Sequence, residues 1–152
     1  EIKVVNEEYK VSGSIDVLLK INGALYITEI KSKKGELWKA LESPDPDHII
    51  QAVFYYWLLR QQGIAVHDKL SILYVSKSHY MESPYKEFTL KPSKHLRRLD
   101  EYLEEAGDYA RYTSTGVLPT KVHCPTKQCP KAKKCHVATI CFDEYEGHHA
   151  GS

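Results

Sequence analysis

No cysteine precedes Cys124, no apolar run is long enough to cross a bilayer, and no secretory leader pattern opens the chain. There is no internal repeat and no low-complexity linker. These absences argue against a membrane-spanning helix, a repeat array and a small disulfide-stapled domain. The net charge is +1, so total charge gives no argument for a polyanionic partner. At 152 residues, 27% charged and 42% hydrophobic, the composition is that of an ordinary globular protein with one sizeable core.

Charge and cysteine are unevenly placed. Lys121 to His136 holds five lysines, two histidines and no acid, whereas Asp100 to Asp108 holds five acids. All four cysteines fall between Cys124 and Cys141, in a Lys-rich, Pro-containing tail. Crowding of this kind favours a metal or cluster ligand set in a reducing compartment, the cytoplasm, or the host cytoplasm for a viral protein. The chain opens on Glu1 rather than Met, which reads as a fragment or trimmed chain. Residues 144–152, ending GHHAGS, read as a disordered or artificially appended end.

Glu1 to Val11 is expected as one opening strand. Ser14–Ile21 and Ala24–Ser32 are two more, joined by Asn22-Gly23, a strong type I′ hairpin signal. Both are apolar at nearly every position, so both faces of the sheet are expected to be covered. Lys33–Leu41 is a polar connection with a possible short helix. Ser43-Pro-Asp-Pro-Asp47 starts a long helix that stops at Gly63, with Ile49, Ile50, Val53, Phe54 and Trp57 on its apolar face. Lys69–Ser76 is a buried strand, Tyr85–Leu90 an edge strand, and Lys94–Tyr112 a second long helix. This order gives an α/β (α+β mixed-sheet) layer fold, with a core over 1–112 and a cysteine tail over 113–143.

A two-residue turn pairs Ile21 with Ala24. Continuing that register puts Asp16 opposite Glu29 and Ser14 opposite Lys31, with Cβ atoms of opposed residues about 5 Å apart on one face. Glu29 and Lys31 are two apart, so Asp16, Glu29 and Lys31 share a patch. Two like charges facing each other in an apolar sheet retain a proton unless a cation intervenes. Mg²⁺ or Mn²⁺ suits two carboxylates, and Lys31 beside it suits a phosphate. The chemistry implied is metal-assisted phosphodiester hydrolysis, although a Glu-x-Lys in a strand is more often a solvated ion pair. A bulge near Ser14 would break the register.

Gly13-x-x-Asp16, Glu29-x-Lys31 and, on the next helix, Gln51-x-x-x-Tyr55 together resemble the PD-(D/E)xK nuclease superfamily, and more closely its RecB-like branch. That branch includes RecB and AddB nuclease domains, CRISPR-associated exonucleases and viral relatives. The resemblance implies a restriction-endonuclease-like core, a central mixed sheet flanked by helices. It implies catalytic metal on Asp16, Glu29 and the Ile30 backbone carbonyl, with Lys31 as catalytic lysine. Gln51 and Tyr55, one helical turn apart, would contact DNA, with His48 on the same stripe. RecB-like members usually add a histidine from an upstream helix; no His precedes Asp16 here.

Cys124, Cys129, Cys135 and Cys141 suit either tetrahedral zinc or an iron–sulfur cluster. The resemblance tips the choice towards [4Fe–4S], although relatives often place one cysteine before the core. His123 and His136 flank these ligands. A tail pinned this way would hold Lys121, Lys127, Lys131, Lys133 and Lys134 as a basic surface for DNA phosphates. The expected function is a metal-dependent deoxyribonuclease, an exonuclease by analogy, acting on single strands or DNA ends, alone or within a repair, replication or CRISPR-adaptation complex. The rival is a non-catalytic DNA-binding or interaction module stabilised by the cluster or by zinc.

Overall fold

A computed structural model of the chain describes residues 2–78, 83–115 and 126–135, with residues 138 and 142; for residues 109, 112 and 113 it describes the backbone only. Cys124, Cys141, His123, His136, Lys121 and the 144–152 end lie outside the described residues. The chain divides into two compact units, Glu1–Arg111 and Tyr112–Ser152.

The first unit opens with a hairpin rather than a single strand. β1 (Ile2–Asn6) pairs antiparallel with β2 (Val11–Ile15), Val4 against Gly13. The reversal is local chemistry. The Tyr9 amide donates to Asn6 Oδ1 at 3.0 Å, and Lys10 takes a positive φ of 54°.

The central sheet is mixed, in the order β3 (Val17–Ile21), β4 (Ala24–Lys33), β5 (Leu70–Ser76), β6 (Tyr85–Leu90). Asn22 and Gly23 have φ of 50° and 84°, as a type I′ turn requires. The register is the one that turn dictates, from Ile21 with Ala24 to Val17 with Thr28. It stops there. At Asp16 the chain bends, so Ile15 pairs with Ile2 while Val17 pairs with Thr28. The run expected as one strand is therefore two strands with different partners. Ser14 faces Lys3 rather than Lys31.

β4 and β5 run parallel, Lys31 alongside Tyr74. A parallel pair needs a crossover, and this one carries α1 (Gly35–Lys39) and α2 (Pro46–Gln61). Asp45 caps α2, its Oδ1 accepting the Asp47 amide at 3.1 Å, and Gly63 follows the helix at φ 72°. β6 is the far edge, paired antiparallel with β5. A short 3-10 turn at Pro92–His95 leads into α3 (Leu96–Thr115).

α2 is buried on two sides. Ala52, Tyr55, Tyr56, Leu58 and Leu59 belong to the same core as Ile27, Leu70, Ile72 and Tyr74 of the sheet. Ile50 and Val53 meet Leu99 and Leu103 of α3. On the opposite face of the sheet Leu19, Ile21, Ile30 and Val75 are exposed, so the expectation that both faces are covered fails there. β3 is an edge strand, and the α2 core lies on the Ile27 side.

Gly13 is needed for a packing reason. A Cβ there would lie 2.6 Å from Tyr55 Cε1, against a ring that is itself buried. Gly13→Ala should therefore lose about 1–3 kcal/mol in denaturant unfolding. The loss should shrink when the same change is made in a Tyr55→Leu background.

Candidate active site

The bend at Asp16 gives its side chain a defined task. In an antiparallel ladder the hydrogen-bonded pairs alternate. After Val17 with Thr28, the next amide of β4 due for a cross-strand bond is that of Ile30. β2 has already turned towards β1, and the Asp16 carboxylate fills the place instead. The Ile30 amide donates to Asp16 Oδ2 at 2.8 Å. One oxygen of Asp16 is thus fixed to the backbone of β4 beside Glu29, leaving Oδ1 for another partner. Of Ile30 it is the amide that is engaged; its carbonyl remains a candidate ligand only by analogy.

Glu29 is 1% exposed, a rare state for a carboxylate. Lys31 Nζ donates to its Oε1 at 2.6 Å, the two side chains sharing one face of β4. Its other oxygen, Oε2, is buried with no hydrogen-bond partner. Burial raises the proton affinity of Glu29 most. The Lys31 hydrogen bond and charge oppose that, the nearby Asp16 charge adds to it, and the pKa ends above the ordinary 4.5.

An orphaned buried carboxylate oxygen is costly, and it is what a cation ligand looks like before the cation is added. Two acids against one lysine leave a net negative charge. Oxygen donors of this kind suit Mg²⁺ or Mn²⁺, and Mg²⁺ commonly takes one or two carboxylates, filling its other positions with waters and substrate phosphate. No group of three or more His, Cys, Asp or Glu residues suited to a metal is found among the described residues. Two carboxylates still fit that mode of binding.

α2 brings the third part. The Gln51 amide donates to the Tyr55 hydroxyl at 2.9 Å. Tyr55 is buried against Gly13, so its ring is core and only its hydroxyl reaches the Gln51 row. One turn earlier, His48 Nδ1 lies 2.7 Å from the Tyr74 hydroxyl. Burial, followed by opposing effects from Asp45 and the two lysines Lys31 and Lys33, leaves the His48 pKa lowered, so the ring is neutral at physiological pH.

Sequence reasoning missed Tyr74, Asp45 and Lys33. The Asp45 amide donates to the Tyr74 hydroxyl at 3.0 Å, Lys33 pairs with Asp45 at 3.5 Å, and the Lys33 ammonium sits 5.9 Å from the Tyr74 ring centre. Only the parallel register of β4 and β5 places Tyr74 beside Lys31, and no turn encodes that register.

In the second unit, Cys129 Sγ accepts the Ala132 amide at 3.2 Å and Cys135 is exposed. Lys127, Lys131, Lys133 and Lys134 are exposed on the same segment.

The sheet joint fixes Asp16 to the Ile30 amide, next in the chain to the buried Glu29 and its Lys31 partner, and the nearby Asp16 charge is felt at Glu29. A family model for the PD-(D/E)XK nuclease superfamily matches residues 1–142. The chain belongs to this superfamily. The mixed α/β fold with its central sheet flanked by helices agrees with that membership, and membership points to a metal-dependent nuclease. PD-(D/E)XK nucleases generally use Mg²⁺ or Mn²⁺. No curated protein matches the chain. Among the described residues no helix is long and apolar enough to cross a membrane.

A raised Glu29 pKa fixes the sign of one pH effect. The metal-free native state holds this proton more tightly than the unfolded chain. The stability it contributes is full below pH 4.5 and is lost as pH rises through the native value. Metal-free protein should therefore unfold more easily at neutral pH than near pH 4.5 by this contribution, and Glu29→Gln should remove that dependence. Mg²⁺ or Mn²⁺ at a hundredfold excess over its Kd should return about 2.7 kcal/mol at neutral pH, read as a rise in Tm. Glu29→Gln should abolish that rise.

Proposed function

We propose that this PD-(D/E)XK protein hydrolyses phosphodiester bonds in DNA, with Asp16 and Glu29 holding Mg²⁺ or Mn²⁺. The observation that carries the reading is Glu29 Oε2, buried and without a partner beside a lysine already bonded to the other oxygen. Bound there, a divalent ion supplies Lewis acidity and makes water a better nucleophile at neutral pH. Asp16, tied to the Ile30 amide by one oxygen, offers the other, and the Ile30 carbonyl adds a ligand by family analogy. Lys31 counters the effect of burial on Glu29 and turns its remaining N–H groups to the attacking water or to charge building on the phosphate. Gln51 and His48 meet the strand, and Tyr55 orients Gln51.

The finer reading is an exonuclease acting on single strands or DNA ends, on the analogy with RecB-like members. The four cysteines, Cys124, Cys129, Cys135 and Cys141, would bind a [4Fe–4S] cluster. The Ala132 amide bonded to Cys129 Sγ supports this, since amide donors to sulfur accompany cysteine ligation and tune such clusters. Lys127, Lys131, Lys133 and Lys134 would then hold DNA phosphates as a fixed basic surface.

Cleavage of end-labelled single-stranded and duplex oligonucleotides tests the nuclease reading. Cutting should require Mg²⁺ or Mn²⁺, and Lys31→Ala should reduce kcat by about 10²–10³-fold. A protein that binds these oligonucleotides and cuts none would be a DNA-binding module instead. The cluster has its own readout. Protein prepared without oxygen should be brown and carry about four irons per chain, and Cys129→Ser should bleach it. Colourless protein holding zinc would contradict the cluster assignment.

A further inference from the structure

Tyr74 is wholly buried, and its hydroxyl has two neighbours. The Asp45 amide, 3.0 Å away, is a donor and cannot accept the hydroxyl proton. A buried hydroxyl proton left without an acceptor is costly. The remaining neighbour is His48 Nδ1 at 2.7 Å, which can accept through its lone pair when unprotonated. The chain of donation therefore runs from the Asp45 amide to the Tyr74 oxygen, and from the Tyr74 hydroxyl to His48 Nδ1.

We propose that Tyr74 is a positioning residue that holds His48 as the neutral tautomer protonated on Nε2, so that α2 offers the nucleic-acid strand an uncharged N–H donor. This rests on the nuclease reading for the identity of the strand. The proton assignment itself stands on the hydrogen-bond geometry alone. Tyr74 pairs with Lys31 across the β4–β5 register, so the same hydroxyl ties the start of α2 to the catalytic strand. Lys31 and Lys33 of β4 oppose an imidazolium here, and Asp45 and Asp47 of α2 favour one. With Lys31 already supplying positive charge, an uncharged donor adds direction to phosphate binding without a second cation that would compete with a divalent ion.

The test is long-range ¹H–¹⁵N NMR of the imidazoles in the full, ¹⁵N-labelled chain at neutral pH, with His48 assigned by its loss in His48→Gln. The wild-type ring should show a protonated Nε2 and an unprotonated Nδ1. In Tyr74→Phe it should become a mixture of tautomers. A wild-type ring protonated on Nδ1 would overturn the proposal, even if Tyr74→Phe failed to fold. An unchanged ring in a folded Tyr74→Phe would overturn it too. In cleavage assays Tyr74→Phe and His48→Gln should each raise KM by about 2- to 10-fold, and the double variant no further than either. Multiplying effects would overturn the shared route. If wild-type protein cuts nothing while the NMR result holds, the nuclease reading fails and the tautomer assignment survives.

Discussion

The bond from the Ile30 amide to Asp16 Oδ2 is the constraint on which the site depends. It forms where one run of chain changes partners, from β1 on one side of Asp16 to β4 on the other. A regular ladder continued through Asp16 would give its side chain no fixed partner. The break gives the carboxylate a backbone donor, and that donor belongs to the residue next to Glu29. A strand defect thus does the work of aiming. Bends and bulges are over-represented near active sites for this reason.

The second condition is electrostatic. Glu29 is buried, bonded to Lys31 through one oxygen and to nothing through the other. Removing a charge from water without full compensation costs stability, and a half-satisfied buried pair is worse than an apolar one. The mismatch is local, and under the proposed function a divalent ion would relieve it and draw part of its binding energy from doing so. The rest of the fold provides rigidity: α2 lies between the sheet core and α3, and its row of His48, Gln51 and Tyr55 is held by hydroxyl bonds to buried rings.

Much of this was legible in the residues, and what was not has physical reasons. Asn22-Gly23 specified its turn and register down to Val17 because positive φ at two positions leaves few alternatives. The Asp45 cap and Gly63 stop bounded α2 because end chemistry is local. The break at Asp16 was not legible, since nothing in Ser14-Ile-Asp-Val17 marks a bend; it follows from competition between β1 and β4 for one strand. Tyr74 was hidden for a related reason, because parallel register is set by packing across a crossover. The sheet-facing row of α2, with Ala52 and Leu59, was obscured because a helix buried on two sides shows no clean apolar stripe. The covered second face inferred from the two apolar runs Ser14–Ile21 and Ala24–Ser32 fails because an edge strand can keep Leu19 and Ile21 in solvent.

The proposed chemistry requires that Asp16 and Glu29 grip a single divalent ion beside Lys31. Crystals grown with Mn²⁺ and measured for its anomalous scattering test that most directly. One strong peak is expected between Asp16 Oδ1 and Glu29 Oε2, with Lys31 still on Glu29 Oε1, and it should disappear in Asp16→Asn crystals. Well-ordered Asp16 and Glu29 with no peak between them at saturating Mn²⁺, or a peak that ignores either carboxylate, would contradict it.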